Sequence, residues 1–247
     1  MFDRRAFCSG GFVAMAAALS GCSDIMPGRL ANNSQAHGNG NQAQGAQAYQ
    51  PQAPIARGPR SPHYDQVYAG FADERFPVTA FDYTQIDPQF LRRSVPFNGP
   101  QPPGSIVIDA TQKHLFFVEA PGRATRYGVG VGREGFAWSG GANVNMKRDW
   151  PDWVPPAEMI QRSPDIVVEL QHTPRGLGVP GGPKSPLGAR AMYLFADGRD
   201  LGYRIHGTLE PETIGSNVSS GCIRLINQDI VHLYTRAAVG TPATVLA

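Results

Sequence analysis

The chain has 247 residues, of which 41% are hydrophobic and 17% charged, and its formal net charge is +2 at pH 7. That length and composition suit a single folded domain with a sizeable core. The small net charge, without any basic cluster, argues against nucleic acid as a partner.

Residues 1–22 have the layout of an export signal. Two arginines, Arg4 and Arg5, precede a small and apolar run that is too short to span a bilayer. The segment ends in Leu-Ser-Gly-Cys, which resembles the lipobox of bacterial lipoproteins and implies that Cys22 becomes a lipidated first residue. We therefore expect a protein of the cell envelope or periplasm, anchored to a lipid membrane through Cys22. Cleavage without lipidation and retention of the segment as a helix are the alternatives. The arginine pair also resembles a twin-arginine signal, so the export route stays open.

Residues 23–62 consist largely of Asn, Gln, Ala, Gly, Pro and Ser and contain almost no large aliphatic side chains. Such a segment cannot bury enough surface to offset its loss of conformational entropy. We therefore predict a disordered tether between the membrane anchor and the folded part. Asp24, the second position after Cys22, resembles the inner-membrane retention signal of some lipoproteins. That rule differs between lineages, so the choice between inner and outer membrane stays open.

Residues 63–103 are rich in proline and aromatic side chains and lack helical periodicity, which predicts an irregular N-terminal arm packed on the domain. Residues 104–247 alternate short β-rich runs with turn residues, and the 29 glycines and 22 prolines of the chain favour a mainly β domain. The predicted strands cover residues 105–109, 113–118, 126–131, 191–195, 201–205 and 243–246.

Two helices are predicted, a single turn at residues 156–161 and a longer helix at 227–237. In the longer helix, Asn227 is a favourable N-cap, because its side chain can accept a hydrogen bond from the first turn. Asp229 stands in that first turn, where the helix dipole favours a negative charge.

The residues with the clearest chemical potential are His206 and Cys222, which lie sixteen positions apart near two apolar runs. Cys222 is the single cysteine after the export segment, since Cys8 and Cys22 fall within it. A histidine within hydrogen-bond reach can take the thiol proton and leave a reactive ion pair. Taken alone, such a cysteine is more often a buried small hydrophobic residue than a catalytic one.

The stretch from Ile205 to Leu225, IHGTLEPETIGSNVSSGCIRL, closely resembles the signature of the L,D-transpeptidases, the YkuD-type domain. The matching parts are His-Gly-Thr, then Ile-Gly, then Ser-x-Gly-Cys followed by Ile or Val and Arg. Landmarks upstream, such as Trp150-Pro151-Asp152-Trp153 and Gly181-Gly182-Pro183, extend the resemblance to about residues 104–247. The resemblance implies a catalytic domain over 104–247 with a YkuD-like β-sandwich fold of short mixed strands and a few short helices.

The resemblance also implies the reaction. Cys222 would attack the carbonyl between meso-diaminopimelate and the terminal D-alanine of a peptidoglycan tetrapeptide stem, releasing D-alanine and leaving a thioester. An amine acceptor would resolve the thioester. That acceptor would be another stem, giving a 3-3 cross-link, or a D-amino acid or a protein amine. The activity would serve cell-wall biogenesis and cell shape, with no cofactor and no metal.

Each site residue has an implied role. His206 would act first as general base and then as general acid, with the Gly207 carbonyl orienting its other nitrogen. Arg224 would position the donor stem. The backbone N–H groups of Ser220, Gly221 and Cys222 would form the oxyanion hole.

One departure from the family pattern is Ser220, because many members carry a second histidine there. A backbone oxyanion donor is unaffected by this change, whereas any proton relay through that histidine is lost. Two alternatives to the transpeptidase stay open. The same site with water as acceptor would be an L,D-carboxypeptidase or a cross-link hydrolase, and an inert site would make the protein a peptidoglycan-binding lipoprotein.

Overall fold

The structure is a computed structural model that describes residues 58–72, 75–132, 139–219 and 221–246. The predicted export signal, with Cys22, and residues 23–57 of the predicted tether lie outside the described residues, as does Ser220.

The described chain is mainly β, as predicted, with few and short helices. The helices are α1 (Pro62–Val67), α2 (Ala157–Arg162) and α3 (Asn227–Arg236), supplemented by 3₁₀ turns at Tyr83–Gln85, Pro88–Phe90, Pro164–Glu169 and Pro211–Thr213. The strands are β1 (Arg93–Pro96), β2 (Ile106–Asp109), β3 (His114–Ala120), β4 (Arg123–Gly128), β5 (Val131–Gly132), β6 (Gly140–Asp149), β7 (Gln171–Thr173), β8 (Gly176–Gly178), β9 (Arg190–Ala196), β10 (Arg199–Gly207), β11 (Asn217–Ser219), β12 (Ile223–Leu225) and β13 (Pro242–Leu246). Across these described ranges, every helix is too short or too polar to traverse a bilayer.

Nine strands form one mixed sheet in the order β1-β4-β3-β2-β13-β6-β9-β10-β12. The pairs β13–β2 and β10–β12 are parallel, and the other neighbours are antiparallel. The sheet curls back on itself, because β12 also exchanges backbone hydrogen bonds of 2.8 and 3.0 Å with Gly130, just beyond β4. The short strands β11 and β5 pair in parallel, and β7 with β8 forms a separate hairpin.

The main core fills the space that the curved sheet encloses. Ile108 and Leu115 come from one half of the sheet, Met192 and Ile205 from the other, and all four are fully buried. Helix α3 adds its apolar stripe to the same core, led by Ile230. Each such side chain contributes about 1.5–3 kcal/mol by leaving water, so the core fixes the ends of β10 and β12 where the site lies.

The predicted strands and both predicted helices are confirmed, except that residues 126–131 divide between the end of β4 and the start of β5. The central strand β6 was missed. β6 reads GGANVNMKRD and buries only Ala142 and Val144 of its first six residues. Two apolar residues give a weak alternation signal, and glycine and asparagine are disfavoured in strands. Pairing with β13 and β9 on its two sides makes the segment extended, which no local pattern could predict.

The arm over residues 63–103 is more regular than predicted. It contains α1, two 3₁₀ turns and β1, which pairs with β4 at the sheet edge. Its aromatic residues are the reason, because Tyr68 and Tyr83 pack with Ile214 and Ile226 in a second apolar cluster. The arm therefore packs against the segments that precede and follow β12, next to the candidate site.

Asp229 stands in the first turn of α3, as predicted, but it is fully buried rather than exposed at the helix end. Its carboxylate lies 3.4 Å from the Arg92 guanidinium and accepts a hydrogen bond of 3.2 Å from the Tyr68 hydroxyl. Burial outweighs these partners and raises the pKa of Asp229 to about 7. Through these contacts with Tyr68 and Arg92, the Asp229 side chain links the arm to α3.

Candidate active site

The parallel pairing of β10 with β12 brings the two predicted catalytic residues to one place. Ile205 pairs with Ile223, and His206 with Arg224. Side chains alternate along a strand, so the two isoleucines enter the core and His206 faces the opposite side. Cys222 immediately precedes β12, where its thiol accepts a hydrogen bond from the backbone N–H of Arg204. Cys222 is therefore a diagonal neighbour of His206 in the register of the two strands.

The imidazole of His206 is buried and oriented by backbone. Its side chain is 3% exposed, and Nδ1 lies 2.5 Å from the carbonyl oxygen of Gly207. A carbonyl accepts only from an N–H, so this contact assigns the proton of the neutral ring to Nδ1 and the lone pair to Nε2. Burial lowers the pKa of His206 to about 4, with help from the charges of Arg224 and Arg204, although the carbonyls of Gly207 and Leu187 act in the opposite direction.

The thiol of Cys222 is also held in its neutral form. Burial raises its pKa above the ordinary value, despite the N–H of Arg204 and the positive charges of Arg204 and Arg224, which lower it. The charge of Asp200 adds to the increase. The two shifts run in opposite directions from those of a thiolate–imidazolium pair. Both shifts favour the neutral forms, because the site is desolvated.

The backbone before Cys222 requires glycine. Gly221 has a φ of +105°, a region that side chains rarely adopt. A Cβ at this position would also lie 2.8 Å from Cε1 of Tyr203. Gly221 thus lets the chain turn tightly into β12 beside the Tyr203 ring. Ser220, the next predicted oxyanion donor, lies outside the described residues, so its role stays a prediction.

The Asn227 side chain holds the backbone segments next to His206 in place. It was predicted to cap α3, but Ile226 occupies the N-cap position and no side chain caps the helix there. The Asn227 side chain is used elsewhere: Oδ1 accepts from the N–H of Ala189 at 2.9 Å, and Nδ2 donates to the carbonyl of Thr208 at 3.2 Å. The same amide fills the space beside Gly207, where any Cβ would collide with it. The N-cap prediction failed because tertiary partners compete for the amide.

A cavity of about 430 Å³ opens in front of the thiol. Its wall combines aromatic, aliphatic and charged groups. The lining residues include Trp153, Arg175, Tyr193, Tyr203, Arg204 and Cys222. The size suits a peptide segment of one or two residues, since ligand pockets commonly enclose a few hundred Å³. Cys222 is thus both largely desolvated and accessible from one side.

Arg224 lies on the same face as His206 but turns toward Glu210, which its Nη1 contacts at 2.7 Å. Arg224 is not among the described residues that line the cavity of Cys222. Its predicted contact with a donor stem therefore stays a prediction. Two other arginines, Arg175 and Arg204, line that cavity, and neither was predicted from the sequence. For Arg204 the available signal was its position two residues before His206 in the same strand, because such residues share a face.

Two further histidines and both tryptophans of the upstream landmark differ in their surroundings. His232 Nδ1 lies 2.8 Å from the Tyr127 hydroxyl, and His172 is exposed on β7. Trp150 is buried and packs edge-on against Phe76, whereas Trp153 lines the cavity. Within the described ranges, no group of three or more His, Cys, Asp or Glu side chains is arranged to hold a metal ion.

Comparison with known proteins identifies one family. Residues 103–245 match the sequence model of YkuD, described as the L,D-transpeptidase catalytic domain. The chain is 33% identical over 141 residues to the probable L,D-transpeptidase YbiS of Escherichia coli K12, covering 55% of this chain and 42% of that protein. It is 48% identical over 62 residues to the putative L,D-transpeptidase YqjB of Bacillus subtilis, covering 25% of this chain and 35% of that protein. The match thus spans less than half the length of either relative.

A solved structure from Brucella melitensis, described as a probable carnitine operon oxidoreductase, is 46% identical and covers 63% of this chain and 93% of its own. Its TM-score is 0.44, which is too low for that description to bear on this chain.

Proposed function

The chain belongs to the L,D-transpeptidase catalytic domain family, and on this premise we propose that it is a cysteine-dependent acyltransferase of peptidoglycan stem peptides. The observation that carries the proposal is the parallel pairing of β10 and β12, which puts Arg224 in register with His206 and leads β12 directly out of Cys222, a residue that lines a cavity. A cysteine with a purely apolar packing role would need neither an oriented imidazole nor an opening toward solvent.

In the first half-reaction, Nε2 of His206 takes the thiol proton while Sγ of Cys222 attacks the carbonyl that links diaminopimelate to D-alanine. The charge that develops on the carbonyl oxygen is stabilised by backbone N–H groups around Gly221 and Cys222. The tetrahedral intermediate collapses, the imidazolium returns the proton to the nitrogen of D-alanine, and D-alanine leaves. A thioester on Cys222 remains.

In the second half-reaction, an amine enters and attacks the thioester carbonyl. His206 takes the proton that the attacking nitrogen loses, and it returns this proton to sulfur as the thioester bond breaks. The products are a new amide and the original thiol. With a second stem as acceptor the product is a 3-3 cross-link, and a D-amino acid or protein amine gives the corresponding conjugate.

The directions of the two pKa shifts favour a mechanism in which proton transfer and nucleophilic attack are concerted. Because burial disfavours charge on both groups, proton transfer and attack occur together rather than from a stored thiolate. Desolvation also protects the thiol of an envelope protein from unwanted oxidation. We propose that the reaction takes place in the periplasm or cell envelope. In this proposal a lipid on Cys22 anchors the protein, and residues 23–62 connect the anchor to the catalytic domain.

The test uses the purified full chain and a tetrapeptide muropeptide donor. We expect D-alanine release and a mass gain equal to the acyl group on Cys222, both of which Cys222→Ala abolishes. His172→Ala, a change at an exposed ring outside the cavity, serves as the matched control and keeps full activity. Carbapenems should acylate the same thiol.

Product analysis with and without an added D-amino acid separates acyl transfer to amines from hydrolysis. Retention of cross-linking by Cys222→Ala would exclude the proposed mechanism. Hydrolysis that persists unchanged in excess amine would instead identify an L,D-carboxypeptidase. Muropeptides from a strain that lacks the gene give the corresponding result in cells, where loss of 3-3 cross-links or of D-amino acid conjugates is expected.

A further inference from the structure

Two arginines line the cavity of Cys222, and one of them is already neutralised. Arg204 places Nη1 and Nη2 at 2.7 and 2.8 Å from the two carboxylate oxygens of Asp200, a bidentate ion pair. Its guanidinium also packs on the Tyr193 ring, 4.3 Å from the centroid. A second carboxylate brought to Arg204 would meet the charge of Asp200, which opposes binding. Arg204 therefore acts as part of the wall rather than as an anion receptor.

Arg175 is held in place by neutral groups. It lies in the turn between β7 and β8, where its backbone N–H donates to Oγ1 of Thr173 at 3.1 Å. Its Nη1 donates to the Tyr193 hydroxyl at 2.8 Å, and its guanidinium carbon lies 5.1 Å from the centroid of that ring. Among the described side chains, no carboxylate is within ion-pair distance of Arg175. The positive charge of Arg175 is thus oriented and has no ion-pair partner within the described part of the chain.

The position of Arg175 joins two cavities. It lines the 430 Å³ cavity of Cys222 and also a neighbouring cavity of about 700 Å³, and Asp152 lies on both walls as well. Oδ1 of Asp152 accepts a hydrogen bond from the N–H of Gly181 at 2.7 Å, which holds this carboxylate in place. A ligand that extends from Cys222 into the second cavity would lie next to Arg175, which lines both cavities.

We propose that Arg175 binds a carboxylate of the donor stem and thereby sets the specificity of the acylation step. This inference rests on the transpeptidase function proposed above. The planar guanidinium offers several N–H donors in a fork that matches a carboxylate, and one contact to Tyr193 leaves the others for a ligand. A tetrapeptide stem carries carboxylates close to its scissile bond, on the terminal D-alanine and on the side chain of diaminopimelate. Either one supplies the chemistry that Arg175 recognises.

The experiment compares three donors with the full-length protein: the free acid, the D-alanine amide, and the diaminopimelate side-chain amide. Acylation of Cys222 is followed by intact mass. For Arg175→Gln we expect kcat/KM with the free acid to fall about 10- to 100-fold, mainly through KM, as one charge-assisted contact is lost. Arg175→Lys should recover part of this loss. Arg123→Gln, at an exposed arginine on β4, is the matched control and should change nothing.

The donors identify the carboxylate and decide the outcome. One of the two amides lacks the carboxylate that Arg175 recognises. On that donor the wild-type protein should be acylated as slowly as Arg175→Gln is on the free acid. Arg175→Gln itself should be acylated at the same rate on that amide and on the free acid. An equal loss on all three donors, or no loss on any, would overturn the role of Arg175 while leaving the transpeptidase intact. A wild-type protein that no donor acylates would remove the proposed function and this inference together. Unchanged alkylation of Cys222 by iodoacetamide shows that the variant keeps its site.

Discussion

The sharpest prediction concerns the protonation state of the thiol and imidazole as pH is varied. Burial lowers the pKa of His206 from 6.5 to about 4, which disfavours the charged ring by about 3 kcal/mol at about 1.4 kcal/mol for each pKa unit. Burial also raises the pKa of the Cys222 thiol, which disfavours the thiolate. Both shifts oppose transfer of the proton from sulfur to imidazole, so we predict that the pair is neutral at rest.

The assay is the rate of Cys222 alkylation by iodoacetamide between about pH 5 and pH 10, with the site confirmed by peptide mass spectrometry. A neutral pair gives an alkylation rate that rises continuously toward alkaline pH and is only a small fraction of its limit near neutrality, because the pKa of the thiol is raised. His206→Ala should leave this profile nearly unchanged while it slows acylation by a tetrapeptide donor about 10²- to 10⁴-fold. A reactive plateau between about pH 5 and pH 7 that disappears in His206→Ala would refute the argument, because only a stored thiolate–imidazolium pair produces it.

Three further predictions concern the surroundings of the site. Gly221→Ala should cost about 1–3 kcal/mol through strain at a φ of +105° and contact with Tyr203, and lower the acylation rate; an unchanged crystal conformation with full activity would contradict this. Asn227→Ala should lower the free energy of unfolding by about 1–3 kcal/mol, measured by urea denaturation, since it strands a backbone donor and an acceptor beside His206. Asp229→Asn should stabilise the protein at about pH 8 by roughly 1–4 kcal/mol and give no advantage at about pH 4. The sign follows because the folded pKa of about 7 exceeds the unfolded value, so the wild type loses stability as pH rises between the two; equal urea midpoints for both proteins at alkaline pH would disprove it.

The secondary-structure predictions were correct for segments whose own residues show a helix or strand pattern. The hairpin of β2 and β3 and the helix α3 have apolar residues at the spacing of a strand or a helix. β6 lacks such a pattern and is extended because two neighbouring strands bind its edges. The arm is ordered for a related reason, since Tyr68 finds its partners in Ile226 and Asp229, more than 150 residues away in the chain.

The residues of the site also divide into those with a local sequence signal and those without one. His206 and Cys222 were identified by the motif that surrounds them, together with the placement of Gly207 and Gly221 next to them. Arg175 gave no signal, because it lies in a short hairpin far from both residues in the chain. It reaches the cavity only because Tyr193, on β9, provides the surface on which its guanidinium rests.

What the sequence determined by itself is the chemistry that is available: a histidine and a cysteine in a family signature, glycines where the backbone must turn, and apolar runs long enough for strands. What only the tertiary structure decided is the state of that chemistry. The register of β10 against β12, the burial of both groups and the distribution of Asp200, Arg204 and Arg175 around the cavity set the pKa values and the charge that a substrate meets. Desolvation and Coulomb energies depend on distances between residues that are remote in the chain, and a linear pattern carries no such distances.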